Sequence, residues 1–144
     1  MNQIIKTEII INASLERVWG LLTDLASYST WNPFIVKAKG TIKLDQRLMC
    51  QPRMPGGRKY TFRPIVTRCE IHRVFAWTGN VMHSSLASGE HIFEIVQSEE
   101  NQVKLIHDEI FTGVLAPLYV PLIREATTKG FIMMNEALKD IAEN

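Results

Sequence analysis

The chain has 144 residues, with 16 basic and 15 acidic side chains and a formal net charge of +1. That length fits one domain, residues 1–144, and the balanced charge leaves no basic surplus of the kind that grips nucleic acid. Cys50 and Cys69 belong to no CxxC pair, which argues against a zinc knuckle or redox motif; buried free thiols are expected, and spacing alone leaves a disulfide between them open.

From the start, Ile5, Thr7, Ile9 and Ile11 alternate with Lys6 and Glu8, the pattern of a strand with one buried face. Met1 to Ile11 is too short and too polar for a signal peptide or a membrane span, and no later run reaches a span's length, so a cytoplasmic protein is expected, without stable membrane insertion. Ser14 is a candidate N-cap, and Val18, Leu21, Leu22 and Leu25 form a helical stripe, so a short helix is predicted over Leu15–Thr23. A second helical turn over Leu25–Ser29 must end by Asn32, because Pro33 restricts its predecessor.

Six strands are predicted next, over Phe34–Ile42, Arg47–Met54, Tyr60–Ile71, Arg73–Asn80, Glu90–Gln97 and Val103–Thr112. Turn residues such as Pro55-Gly56-Gly57 and Ser88-Gly89 separate them, which suits an antiparallel meander. Pro117 to Glu143 reads as one long helix, with both prolines near its start and Leu122, Ala126, Met133, Ala137 and Ile141 on one face.

The fold class is therefore α+β: a seven-stranded curved antiparallel sheet, two short helices and a long C-terminal helix. One helix is about 10 Å wide, whereas seven strands would span about 30 Å if flat. The sheet must curl, and a cavity is expected under the helix. A hairpin centred on Glu100 pairs Ile95 with Leu105, Phe93 with His107 and His91 with Glu109, which puts two histidines and a carboxylate on the buried side. Buried charge is rare unless paired or used, so the cluster is either an internal hydrogen-bonded group or a functional one. Strand direction places the connections Met54–Lys59, Val81–Gly89 and Gly113–Pro117 at one end, with Thr30–Pro33. That mouth would carry Arg53, Met54, Arg58, Lys59, Met82 and His83; Arg58 and Lys59 are read as a solvated hairpin tip.

Several stretches carry a resemblance: Ile11-Asn-Ala-Ser-Leu-Glu-Arg-Val-Trp19, Leu22-Thr-Asp24, Trp31-Asn-Pro-Phe34, Trp77-Thr-Gly79, His91-Ile-Phe93 and His107-Asp-Glu-Ile-Phe-Thr-Gly113. Together the chain resembles the polyketide cyclase/dehydrase and lipid-transport group of the SRPBCC superfamily, the START-like helix-grip fold. The resemblance spans essentially the whole chain. It implies a cavity for a lipid, polyketide or quinone-like molecule, with Trp31, Phe34, Trp77, His91, Phe93, His107, Glu109 and Phe111 at the matching positions.

With Leu122 and Ala126 from the helix, these residues form the expected ligand site. His107, Glu109 and His91 are the candidate catalytic groups if the protein is a cyclase or dehydratase. Binding without reaction requires less and is the first expectation. A protein-interaction module of the same fold is the third reading and would need a large exposed apolar patch. No cofactor is expected, and no ligand spacing enforces a metal site.

Overall fold

The computed structural model describes residues 3–80, 83 and 85–144. The chain runs β1 (Gln3–Ile11), α1 (Leu15–Thr23), a 3-10 turn (Leu25–Ser27), α2 (Tyr28–Trp31), β2 (Ile35–Lys39), β3 (Met49–Pro52), β4 (Ile65–Glu70), β5 (Val74–Asn80), β6 (Ser88–Glu99), β7 (Gln102–Thr112) and α3 (Ala116–Glu143). The five longer-range strands pair antiparallel in the order β1-β7-β6-β5-β4, and β2 pairs with β3 as a separate ladder. The two ladders are joined. Cys50 and Phe62 exchange both backbone hydrogen bonds at 2.9 Å, and Leu48 N donates to Pro64 O at 2.8 Å. The predicted strand Tyr60–Ile71 is thus divided: its first half reaches across to β3 through isolated bridges, and only the second half is a regular strand. This division lets the sheet curve around α3.

The predicted hairpin register holds. Ile95 faces Leu105, Phe93 faces His107 and His91 faces Glu109. Register is well determined here because a one-residue slip would exchange the buried face for the solvent face on both strands. Ser14 caps α1 by accepting from Arg17 N at 3.1 Å, as its position before the apolar stripe predicts. Asn32 ends α2, and its Oδ1 accepts from both Phe34 N and Ile35 N at 2.9 Å, which turns the chain into β2.

The long helix has 28 residues, a rod of about 42 Å. Pro117 occupies its first turn, while Pro121 lies inside it and cannot donate to the carbonyl one turn back. The buried face differs from the predicted one by a single position. Val120, Thr127, Phe131, Met134, Leu138 and Ala142 are buried, whereas Leu122 is 83% exposed and Met133 is 37% exposed. The inward face carries Thr127, Gly130 and Asn135, so hydropathy alone drew the stripe one residue early. Arg17 holds the far end of α3, donating to the carbonyls of Ala142 at 2.6 Å, Ile141 at 2.8 Å and Asn144 at 3.1 Å. These are C-terminal acceptors with no intrahelical partner. Both cysteines are free thiols. No described helix is long and apolar enough to cross a membrane.

Candidate functional site

Three transverse rows of side chains cross the inner face of β5, β6 and β7. The innermost holds Phe75, Phe93 and His107, the next Trp77, His91 and Glu109, and the outermost Gly79, Gly89 and Phe111. The innermost row is packed shut: Phe75, Phe93 and His107 are each 0% exposed. The outermost row has two glycines where side chains would otherwise project. A Cβ on Gly89 would run into the Glu109 carboxyl, and one on Gly79 would press on the Phe62 ring. The absence of these two side chains opens a cavity of about 180 Å³ between the sheet and α3.

Its walls are mostly aromatic: Phe34, Tyr60, Phe62, Trp77, Phe111, Tyr119 and Phe131. Ile35, Pro52, Met54 and Ile123 complete the apolar lining, and His91, Glu109, Thr127, Asn80 and Ser88 supply polar groups. Met54, Tyr60, Asn80 and Ser88 come from the loop end that strand direction assigns to the mouth. Gly130 sets the opposite wall, since a Cβ there would occupy the space of the Phe34 ring.

A hydrogen-bond chain leads from this cavity into the core. His91 Nε2 meets His107 Nε2 at 2.6 Å, His107 Nδ1 meets Asn135 Oδ1 at 2.6 Å, and Asn135 Nδ2 donates to Thr7 Oγ1 at 3.0 Å. Thr7 Oγ1 in turn donates to the His107 carbonyl at 2.6 Å. The two imidazoles lie end to end and nearly coplanar, with centroids 4.8 Å apart and planes 19° apart, and Phe131 stacks on both. Burial holds His91 well below the usual imidazole range, with the neighbouring His107 adding to the effect, and lowers His107 to about 3 despite its bond to Asn135. Both rings are therefore neutral at physiological pH.

Glu109 borders the cavity beside His91. The residue keeps part of its surface accessible, but desolvation of the carboxyl by the surrounding protein raises it to about 8. At neutral pH most of it carries a proton and donates as well as accepts. Among the described residues no cation forms an ion pair with it. Trp77, also on the wall, has a buried indole N–H with no partner among the described residues. No group of three or more His, Cys, Asp or Glu among the described residues is placed to hold a metal ion.

Of the residues expected in the site, Phe34, Trp77, His91, Glu109 and Phe111 line the cavity. Five others do not border it. Phe93 and His107 lie behind His91, so His107 reaches the cavity only through that ring. Trp31 packs against Tyr28 at 5.2 Å and donates to Ser27 Oγ at 3.3 Å, a folding role at the end of α2. Leu122 and Ala126 give way to Ile123 and Thr127, following the one-residue rotation of the α3 face. Among the mouth residues, Met54 lines the cavity, Arg53, Arg58 and Lys59 are exposed without lining it, and His83 bonds Ser85. Met82 lies outside the described residues.

Sequence reasoning missed Asn135 and Thr7. A polar pair on two otherwise apolar faces was the available signal. It also missed Tyr60 and Phe62, in the predicted strand Tyr60–Ile71, and Tyr119, in the predicted long helix, because membership of an element does not say which aromatics of distant elements share one space.

The family described as polyketide cyclase / dehydrase and lipid transport matches residues 2–143. A search of curated proteins found no match. Among solved structures, a START superfamily protein from Mycobacterium smegmatis is 18% identical with a TM-score of 0.77, over 97% of each chain. The Zhui aromatase/cyclase from Streptomyces sp. R1128 is 13% identical with a TM-score of 0.80, over 99% of this chain and 94% of that one. Norcoclaurine synthase from Thalictrum flavum, in complex with dopamine and hydroxybenzaldehyde, is 13% identical with a TM-score of 0.71, over 98% and 86%. At these identities the likeness is one of fold, the START-like helix grip. With the family match over nearly every residue, the chain belongs to the polyketide cyclase/dehydrase and lipid-transport family.

Proposed function

We propose that this protein binds a hydrophobic small molecule in the cavity between its sheet and α3. One observation carries the reading: an aromatic-walled space of about 180 Å³ with only a few polar groups on its lining. That is the ordinary make-up of a small-molecule site, where apolar walls supply affinity and sparse polar groups set orientation. An engineered apolar cavity of about 150 Å³ in another protein takes up benzene, so a guest of one or two rings is the expected size here. The free thiols suit a reducing compartment, in keeping with a cytoplasmic location.

Native mass spectrometry of the protein purified from its own host should reveal a retained apolar ligand. Ile123→Trp, which fills the cavity from the half-buried side of α3, should abolish retention while leaving the circular dichroism spectrum unchanged. A folded Ile123→Trp variant that retained ligand as before would refute the reading.

Acid–base catalysis of a cyclase or dehydratase kind is a second reading, favoured by Glu109. A carboxyl held at about 8 beside a neutral imidazole is a group poised to exchange protons near physiological pH. In this reading His91, not His107, meets the substrate. Glu109→Gln should then reduce turnover of a cyclising substrate by about 100-fold or more with little change in affinity. Unchanged turnover would leave binding as the function.

A further inference from the structure

We infer that the ligand is a neutral ring compound bearing a hydroxyl group, whose hydrogen is received by Nδ1 of His91. This rests on the cavity being a ligand site and goes further, because the protein's own hydrogen bonds determine which groups that site can accept.

The hydrogen-bond chain begins at Thr7, a part-buried residue of β1. Its Oγ1 lies 2.6 Å from the His107 carbonyl oxygen, a distance two oxygens hold only with a hydrogen between them. A carbonyl has none to give, so Thr7 donates. Thr7 Oγ1 must then accept from Asn135, which turns the amide nitrogen of Asn135 toward Thr7 and its Oδ1 toward His107. Oδ1 is an acceptor only, so His107 Nδ1 carries the hydrogen. In neutral His107 that leaves Nε2 bare, and the 2.6 Å contact with His91 requires the hydrogen to come from His91 Nε2. Neutral His91 then has a bare lone pair at Nδ1. Nδ1 bonds no described residue and is not among the buried side-chain atoms left without a partner, so it keeps accessible surface on a ring that lines the cavity.

Asn135 and Thr7 are thus positioning residues: without touching a ligand, they decide which His91 nitrogen is bare. Glu109 lies opposite His91 across the β6–β7 pair and borders the same space. Its carboxyl is protonated at neutral pH and offers a donor. An acceptor beside a donor is the complement of a hydroxyl, which both gives and receives a hydrogen bond. Among the described residues no lysine or arginine lines the cavity, so an anionic ligand would find no counter-charge.

Two probes of nearly the same shape test this: 2-naphthol, which has the hydroxyl, and 2-methoxynaphthalene, which does not. The ether is the more apolar, so burial alone favours it. By isothermal titration at pH 7, 2-naphthol should bind the wild type at least about tenfold more tightly, since the ether leaves the His91 lone pair unmet. His91→Phe, which keeps a flat ring in the stack, should lose most of that preference. Equal binding of the two probes, or a preference unchanged in His91→Phe, would overturn the inference while leaving the cavity reading intact. Failure of both probes to bind would overturn the cavity reading and the inference with it. Nitrogen-15 NMR of the wild-type histidines reads the chain without any variant: His91 should carry its hydrogen on Nε2, and a hydrogen on Nδ1 would overturn the inference.

Discussion

Replacing Glu109 by Gln removes a titration that burial has moved across neutral pH. The carboxyl has an ordinary value of 4.5, which stands for the unfolded chain, and is raised to about 8 in the fold. Between those values the native state holds the proton more tightly than the unfolded state, so stability falls as pH rises. The full gap is about 3.5 pH units, or about 5 kcal/mol at about 1.36 kcal/mol per unit. Of this, about 3.5 kcal/mol is lost between pH 5 and pH 8. His91 and His107 act in the opposite sense. Their imidazoles are lowered in the fold, so stability drops as pH falls below about 6.5, where the unfolded chain takes up protons.

The wild type should therefore be most stable near pH 6.5, limited on the acid side by the histidines and on the alkaline side by Glu109. Glu109→Gln should keep the acid limb and lose the alkaline one. Urea denaturation at pH 5, 6.5 and 8 measures both. With an m-value of about 2 kcal/mol/M, the wild-type midpoint should fall by roughly 1.8 M relative to the variant from pH 5 to pH 8. Parallel pH profiles for the two proteins would refute the assignment of a desolvated carboxyl that is protonated at neutral pH.

Arg17→Ala should destabilise the fold by about 1–2 kcal/mol by leaving the last carbonyls of α3 without their donor, read as a lower urea midpoint; the exposure of the side chain limits the loss. Gly130→Ala gains about 1 kcal/mol in helix propensity but drives a Cβ into the Phe34 ring, and the overpacking should dominate, for a net loss of about 1–2 kcal/mol by thermal unfolding. Asn32→Ala should cost about 2 kcal/mol in the same assay, because Phe34 N and Ile35 N lose their shared buried acceptor.

The order of elements, the antiparallel meander and the register of β6 on β7 were all legible in the linear sequence. Each follows from local rules: two-residue alternation, a short polar turn, and the cost of turning an apolar face to water. From these alone, His91, His107 and Glu109 already fall on the inner face. The rotation of α3 was not legible to within one residue, because Thr127 and Asn135 face inward for reasons that hydropathy does not register. That single position exchanged Leu122 and Ala126 for Ile123 and Thr127 at the cavity. The relay through Asn135 to Thr7 joins side chains 128 positions apart, and the cavity exists because two glycines on neighbouring strands meet in one row. Neither is a property of any local stretch: hydrogen-bond partners and empty volume are defined only when distant segments are brought together, so the tertiary structure alone decided which His91 nitrogen is tied to His107 and how much room lies beside that ring.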